Sequence, residues 1–362
     1  MDYYRLFQIG GMQNFNVNNN NLNNINNNIN NNRYNFVGGA YSPAVENIEN
    51  FVDSSSQCSP NYANGTISCF DKKGLLDIVR AYNAKHSGNQ IRVSRNNSKQ
   101  DIWEAIQAKM RSKCGKDETC WIEQGFLRGM QPDLEKYFKP VRPEGKYQWL
   151  STEDIHNVMS QYDQTDKSFK FVGPLPIDFL TLGDNSSRYL QSLNLNDERK
   201  KGIKNIGIIF NMDPSTKGGS HWVSMNIDLG KREIHYFDSY GAKNVLENNF
   251  WLPYYDSHGN YNKTTKIPMP IEIQKFVFRL MKNISPKDIF NSGGGRNNIG
   301  KQIKMPFTLK INSIQHQFAN SECGVYSMLF ILKSRNNSFE QITKDIITDE
   351  AANKARNDLF RD

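Results

Sequence analysis

The chain turns on the stretch Gln317-Phe318-Ala319-Asn320-Ser321-Glu322-Cys323-Gly324-Val325-Tyr326, which runs on through Ser327-Met328-Leu329-Phe330-Ile331-Leu332. The apolar run after Gly324 is long enough for a buried helix, which predicts a helix over 323–333 with Cys323 in its first turn. A thiol there meets the positive end of the helix macrodipole, which favours the thiolate, the nucleophilic form. The bland alternative for a lone cysteine at a helix start is a small buried hydrophobe. The residues upstream weigh against it.

His221 opens His221-Trp222-Val223-Ser224-Met225-Asn226-Ile227, which largely alternates apolar and polar residues as a half-buried strand does. Asp238 ends a second such segment, Arg232-Glu233-Ile234-His235-Tyr236-Phe237-Asp238, and Leu229-Gly230-Lys231 between them reads as a hairpin turn. A histidine at the start of one strand and an aspartate at the end of its antiparallel partner meet at the same end of the hairpin. The carboxylate then accepts from one ring nitrogen while the other faces a thiol. His235 has opposite parity to Asp238 and is expected on the other face, structural or solvated. Gln317, six residues before Cys323, is a candidate donor to a developing oxyanion beside the cysteine's own N–H. Gln315 competes with it, because in a strand both would share a face.

With these residues in hand, the order His-Trp, then Asp, then Gln and Cys-Gly resembles the cysteine peptidases that include SUMO-deconjugating enzymes and adenovirus maturation proteases. Within them it is most similar to the African swine fever virus-type polyprotein proteases. The resemblance is carried by His221-Trp222-Val223, Tyr236-Phe237, His316-Gln317, Glu322-Cys323-Gly324, Tyr326-Ser327, and the tail segments Ile347-Thr348-Asp349-Glu350 and Leu359-Phe360-Arg361. Cys114 and Cys120 extend it weakly upstream. It implies His221, Asp238, Gln317 and Cys323 as catalytic residues. The swine fever-type enzymes carry Asn at the third position, so the Asp here is a departure toward the SUMO proteases. Trp149-Leu150 resembles the start of the SUMO protease domain. That likeness implies a tunnel between Trp149 and Trp222 through which only residues without side chains pass. The other reading of Trp149 is a core aromatic.

The chain of 362 residues has room for one or two domains and a sizeable core, and carries 45 Lys+Arg against 37 Asp+Glu, a net charge of +8. The surplus is spread out; Arg199-Lys200-Lys201 is a short cluster of the kind found on solvated faces. A pI near 9.0 permits non-specific contact with nucleic acid. There is no signal-peptide layout at Met1-Asp2-Tyr3-Tyr4-Arg5, and no apolar run approaches the ~20 residues that span a bilayer. Five cysteines leave at least one unpaired. Cys58, Cys69, Cys114 and Cys120 lack zinc-site spacing, so they are expected as reduced thiols, with no metal and no cofactor.

Residues 1–39 form an Asn-rich segment too poor in apolar residues to order itself. Residues 40–147 form a mainly helical region, with apolar residues three to four apart in Lys73–Tyr82 and Lys99–Met110, and Pro140 and Pro143 mark a linker. Residues 148–362 form the peptidase domain. It opens with a capping-box start at Ser151-Thr152-Glu153-Asp154. Strands are expected at 206–210, 221–227, 233–237 and 307–311, and helices at 271–281 and 323–333. The class is α+β, a mixed sheet packed on helices. Gly295 to Lys301 matches most of a phosphate-binding loop, but Gln302 stands where Ser or Thr would hold magnesium, so it is expected to be a plain loop.

The chemistry points to a cysteine endopeptidase. The resemblance implies that it belongs to a giant DNA virus and processes structural polyproteins after Gly-Gly-type sites during virion maturation, in the host cytoplasm at the assembly site and in the virion. Its partners would be those polyproteins or other Gly-Gly-containing proteins. Three alternatives share parts of the pattern: an isopeptidase acting on ubiquitin-like modifiers, an acetyltransferase using the same Cys-His pair, and a nucleic-acid-binding scaffold suggested by charge alone. The diglycines Gly10-Gly11 and Gly38-Gly39 flanking the Asn tract are candidate self-cleavage points.

Overall fold

A computed structural model describes residues 57–63, 67–243, 246–283 and 306–362. The Asn-rich segment, both diglycines, residues 40–56 and the Gly295–Lys301 loop lie outside the described residues.

Local sequence signals set the first helices. Asp71 accepts from the Gly74 N–H to cap α1 (Lys72–Lys85), whose stripe of Leu75, Ile78, Val79 and Tyr82 is buried. Ser98 and Asp101 close a reciprocal capping box on α2 (Lys99–Cys114), burying Ile102, Ile106 and Met110. With α3 (Glu118–Ile122) and α4 (Gln131–Glu135) they enclose a core that includes Phe70, Trp121, Leu127 and Phe138.

Here one expectation is overturned. Cys58 and Cys69 form a disulfide, as do Cys114 and Cys120, with Cα separations of 5.0 and 5.5 Å. Both separations lie in the range that a disulfide bridges. Cys114 ends α2 and Cys120 sits on the next short helix, while Cys58 makes an isolated β-bridge with Phe138. Tertiary folding creates these meetings, so sequence spacing did not reveal them. Cys323 is the free cysteine.

The second half begins at α5 (Thr152–Thr165), where Ser151 and Asp154 form the anticipated capping box. There follow β1 (Phe169–Pro176), α6 (Asn185–Ser192), α7 (Leu195–Lys200), β2 (Asn205–Asn211), β3 (Trp222–Asp228), β4 (Glu233–Phe237), β5 (Leu246–Asp256), β6 (Tyr261–Ile267), α8 (Ile271–Asn283) and β7 (Thr308–Ile311). The chain closes with α9 (Cys323–Ser334), α10 (Phe339–Lys344), α11 (Asp349–Lys354) and α12 (Arg356–Leu359). The strands form one mixed sheet in the order β1-β2-β3-β4-β7-β5-β6. β2/β3, β3/β4 and β5/β6 pair antiparallel; β1/β2, β4/β7 and β5/β7 pair parallel. Strands β1, β5 and β6 were not anticipated.

Helix α9 lies against β3 and β2, and its residues from Cys323 through Leu332 are buried. Gly207 on β2 permits this close approach, since a Cβ there would stand 2.4 Å from Ile331. At the other end of the chain, Arg361 donates to the Lys139 carbonyl at 3.0 Å and to Glu135 at 2.8 Å, tying the helical region to the C-terminal residues. No helix among the described residues is long and apolar enough to cross a membrane.

Candidate active site

The β3–β4 hairpin positions the base and the acid. Ser224 pairs with Phe237 and Asp228 with Glu233. That register leaves His221 just before β3 and Asp238 just after β4, both at one end of the hairpin. At the opposite end the reversal is made by a turn in which Asp228 accepts from the Lys231 N–H at 2.8 Å and Arg232 has φ 57°. His221 Nε2 donates to Asp238 Oδ1 at 2.8 Å. The other ring nitrogen is left for Cys323, with which His221 also shares a hydrogen bond. Burial works against the charged imidazole. The charge and hydrogen bond of Asp238, followed by the hydrogen bond and charge of Cys323, outweigh it and raise the His221 pKa to about 10.

Tyr240, in the turn Ser239-Tyr240-Gly241 after Asp238, belongs to this cluster. Its ring stacks on His221 at 4.8 Å between centroids, its N–H donates to Asp238 Oδ1 at 3.0 Å, and its hydroxyl donates to the Ala319 carbonyl at 3.1 Å. Asn312, at the end of β7, donates to the Asp238 carbonyl at 2.9 Å and so fixes the acid from the other side.

The competing histidines are spoken for. His235 is fully buried and its Nε2 lies 2.9 Å from Glu233 Oε2, so it is structural rather than solvated. His316 is buried with Nε2 3.2 Å from the Thr343 carbonyl, and burial pushes its pKa down to about 4.

Cys323 is the first residue of α9, 4% exposed. Gly324 follows in a tight place: a Cβ there would stand 3.2 Å from Leu150 and 3.3 Å from Trp222, so a larger residue would push these side chains by a few tenths of an ångström. The Trp222 indole donates to the Leu150 carbonyl at 3.0 Å. This bond ties the residues just before α5 to the strand bearing His221. Trp149, one residue upstream of Leu150, is 47% exposed and is not a core aromatic.

The segment from Ser313 to Phe318 is irregular rather than a strand, so the parity that linked Gln315 to Gln317 does not operate. Hydrogen bonds separate them instead. Gln317 is fully buried; its Oε1 accepts from Ser239 at 2.6 Å, and its Nε2 donates to the Ala319 carbonyl at 2.8 Å, with Tyr240 Oη 3.4 Å away. Gln315 turns to the Gln317 carbonyl at 2.9 Å and accepts from Lys243 at 3.0 Å.

A buried ion pair underlies the cysteine. Glu322 meets Arg356 at 2.9 Å, and Asn353 donates to Glu322 at 2.9 Å. Arg356 and Asn353 also donate to the Gln148 carbonyl at 2.7 Å and the Lys146 carbonyl at 2.6 Å. The same side chains therefore hold both the residue before Cys323 and the segment leading to Trp149. Sequence reasoning missed Arg356 and Asn353, which lie thirty or more residues from their partners with no spacing signal.

Comparison with known proteins identifies the family. The chain is 27% identical over 325 residues to a thiol protease of Acanthamoeba polyphaga mimivirus, covering 84% of this chain and 93% of that protein. It is 27% identical over 164 residues to the SUMO-1 cysteine protease of African swine fever virus, covering 45% of this chain and 46% of the relative. The crystal structure of the selenomethionine form of the African swine fever virus protease shares the fold, with a TM-score of 0.50 at 18% identity, covering 85% of this chain and 96% of that one. Residues 148–362 match the Ulp1 protease family, C-terminal catalytic domain. The chain is thus a thiol protease and belongs to the Ulp1 protease family.

Proposed function

We propose that this protease is a viral endopeptidase that cleaves structural polyproteins after Gly-Gly-type sequences during virion maturation, at the assembly site in the host cytoplasm and in the virion. The observation that carries the reading is the hydrogen-bonded line Asp238–His221–Cys323, with Trp222 and Leu150 packed against Gly324 directly beside the thiol.

In the proposed mechanism His221, whose ring favours the charged form, takes the proton of Cys323 or already shares an ion pair with it. The thiolate attacks the scissile carbonyl carbon. The resulting oxyanion takes hydrogen bonds from the Cys323 N–H and from the Gln317 Nε2 hydrogen on the side of Tyr240. Collapse of the tetrahedral intermediate breaks the C–N bond as His221 gives its proton to the leaving amine. A water molecule, deprotonated by the now neutral His221, attacks the thioester and releases the acid and the thiolate. Asp238 holds the ring and stabilises each imidazolium. A narrow passage between Trp149 and Trp222 favours glycines next to the cleaved bond, because each added Cβ would have to fit between two rings.

Incubating the enzyme with virion structural proteins and sequencing the new N-termini tests this reading. Sites preceded by two glycines are expected. Cleavage after bulky residues would sink the Gly-Gly specificity. The name of the swine fever relative as a SUMO-1 protease supports a second reading, isopeptidase action on ubiquitin-like modifiers. A panel of modifier fusions separates it, since that activity would release intact modifiers and leave the virion polyproteins uncut.

A further inference from the structure

Past the buried Gln317, the loop leading to Cys323 is not held by burial over residues 318–320. Phe318, Ala319 and Asn320 are all exposed, Phe318 by 74% of its surface, so the loop has no apolar anchor of its own. Its anchor is a carboxylate from the far end of the chain. Asp349 Oδ2 accepts from the Phe318 N–H at 2.9 Å and from the Ala319 N–H at 2.8 Å. Asp349 Oδ1 lies 3.2 Å from the hydroxyl of Tyr326, a buried residue one turn along α9 from Cys323. One side chain thus bonds both the loop before the cysteine and the helix after it.

Ala319, whose N–H Asp349 holds, also serves the active site through its carbonyl, which belongs to the next peptide. Its carbonyl accepts from Gln317 Nε2 and from the Tyr240 hydroxyl, and the Tyr240 ring lies against His221. The Gln317 amide is thus held at its oxygen by Ser239 and at its nitrogen by Ala319, and Asp349 helps to place Ala319.

We propose that Asp349 is a positioning residue for the protease reaction, aiming the Gln317 amide at the oxyanion through Ala319. The inference rests on the proposed oxyanion role of Gln317. Hydrogen bonds from backbone N–H groups to a carboxylate are charge-assisted and about twice as strong as neutral ones. A carboxylate that takes two successive N–H groups also fixes the backbone of the residue between them, here Phe318, and with it the place from which Ala319 extends. Without it residues 318–320 lose this tether and the contact that holds the amide nitrogen loosens. Asp349 is also the first residue of α11, where a negative charge favours the helix N-terminus. That bland role needs the charge, whereas the clamp needs only an acceptor oxygen in the right place.

The experiment is a cycle of Gln317→Ala, Asp349→Ala, the double variant and Asp349→Asn in the full chain. Each is checked for folding by circular dichroism and assayed for kcat and KM on a diglycine peptide. Misplacing a catalytic group by about 1 Å costs about 10²-fold. Asp349→Ala is therefore expected to lower kcat by about 10²-fold with KM nearly unchanged, and the double variant to be no worse than Gln317→Ala alone. Asp349→Asn, which keeps the acceptor and loses the charge, is expected to recover kcat to within about tenfold of the parent. Losses that multiply in the double variant, a kcat within twofold of the parent in Asp349→Ala, or equal losses in Asn and Ala variants overturn the proposal. Gln317→Ala by itself reports on the oxyanion role: an unimpaired enzyme there overturns that role and the positioning role with it. An impaired Gln317→Ala beside an unimpaired Asp349→Ala overturns positioning alone.

Discussion

Replacing Asp238 by Asn separates the two things the carboxylate does for His221. An amide oxygen in the same place still accepts from Nε2, so the ring stays oriented, but the negative charge is gone. In the native protein burial alone pulls the His221 pKa down, and it stands at about 10 because Asp238 and Cys323 outweigh that burial. Removing an opposite charge at hydrogen-bond distance lowers a pKa by about 1–3 pH units. The pH profile of kcat/KM should then keep its shape while its alkaline limb, which marks loss of the imidazolium proton, moves down from near 10 by about that amount. Stability follows the same sign. The folded-state pKa of His221 lies above its unfolded value, so its contribution is fully present below about 6.5 and is lost as pH rises through about 10. In Asp238→Asn that loss begins at lower pH. The assay is a fluorogenic peptide from pH 5 to 10.5, with the imidazole signals followed by NMR. An alkaline limb that stays put in Asp238→Asn would refute the account of why His221 is charged. His221→Ala should be far less active than Asp238→Asn at every pH, because no second group stands ready to transfer the proton.

Cys323→Ala should abolish cleavage and leave the circular dichroism spectrum intact, since it removes one sulfur from an otherwise buried helix; surviving turnover would exclude the thiol as nucleophile. Gln317→Ala should lower kcat by about 10²–10³-fold at similar KM, and Gln315→Ala should be mild, in stopped assays on the same peptide. Arg356→Met leaves the Glu322 carboxylate buried without its partner and should cost about 3–5 kcal/mol in urea unfolding. Adding Glu322→Leu should restore much of that; a double variant less stable than the single would contradict the ion-pair explanation.

The catalytic half was legible where local pattern and chemistry coincide. The alternation in His221–Ile227 and Glu233–Phe237 gave both strands, and their turn gave the shared end at which His221 and Asp238 meet. Strand β3 is nevertheless buried on both faces rather than half-buried, because polar Ser224 and Asn226 are covered too. The apolar run after Gly324, interrupted only by Ser327, gave α9 because a helix buried on all sides is mostly apolar on all sides. What sequence did not reveal depends on partners brought from afar. Strand β1 contains Gly173-Pro174, which reads as a break, yet it lies at the sheet edge, where a missing N–H is tolerated. Strand β6 is Tyr261-Asn262-Lys263-Thr264-Thr265-Lys266-Ile267, too polar to announce itself, because it is the opposite edge. The two disulfides, the Glu322–Arg356 pair and the Asp349 clamp join residues whose proximity only the packed chain creates. Tyr240 was hidden because a turn tyrosine next to an acid carries no mark of the ring it will stack on.

The seclusion of Cys323 has a practical corollary for probe chemistry. The thiol is 4% exposed and its partner histidine 2%, with Leu150 and Trp222 crowding the glycine beside it. An electrophile must therefore arrive on a slim carrier. A warhead mounted at the end of an unbranched tail is expected to reach the sulfur faster than a broad maleimide or a branched haloketone. Selectivity against ordinary surface cysteines would thus reside in the width of the reagent, independently of its intrinsic reactivity, and a matched pair of narrow and broad electrophiles would sort this enzyme from the exposed thiols of a lysate.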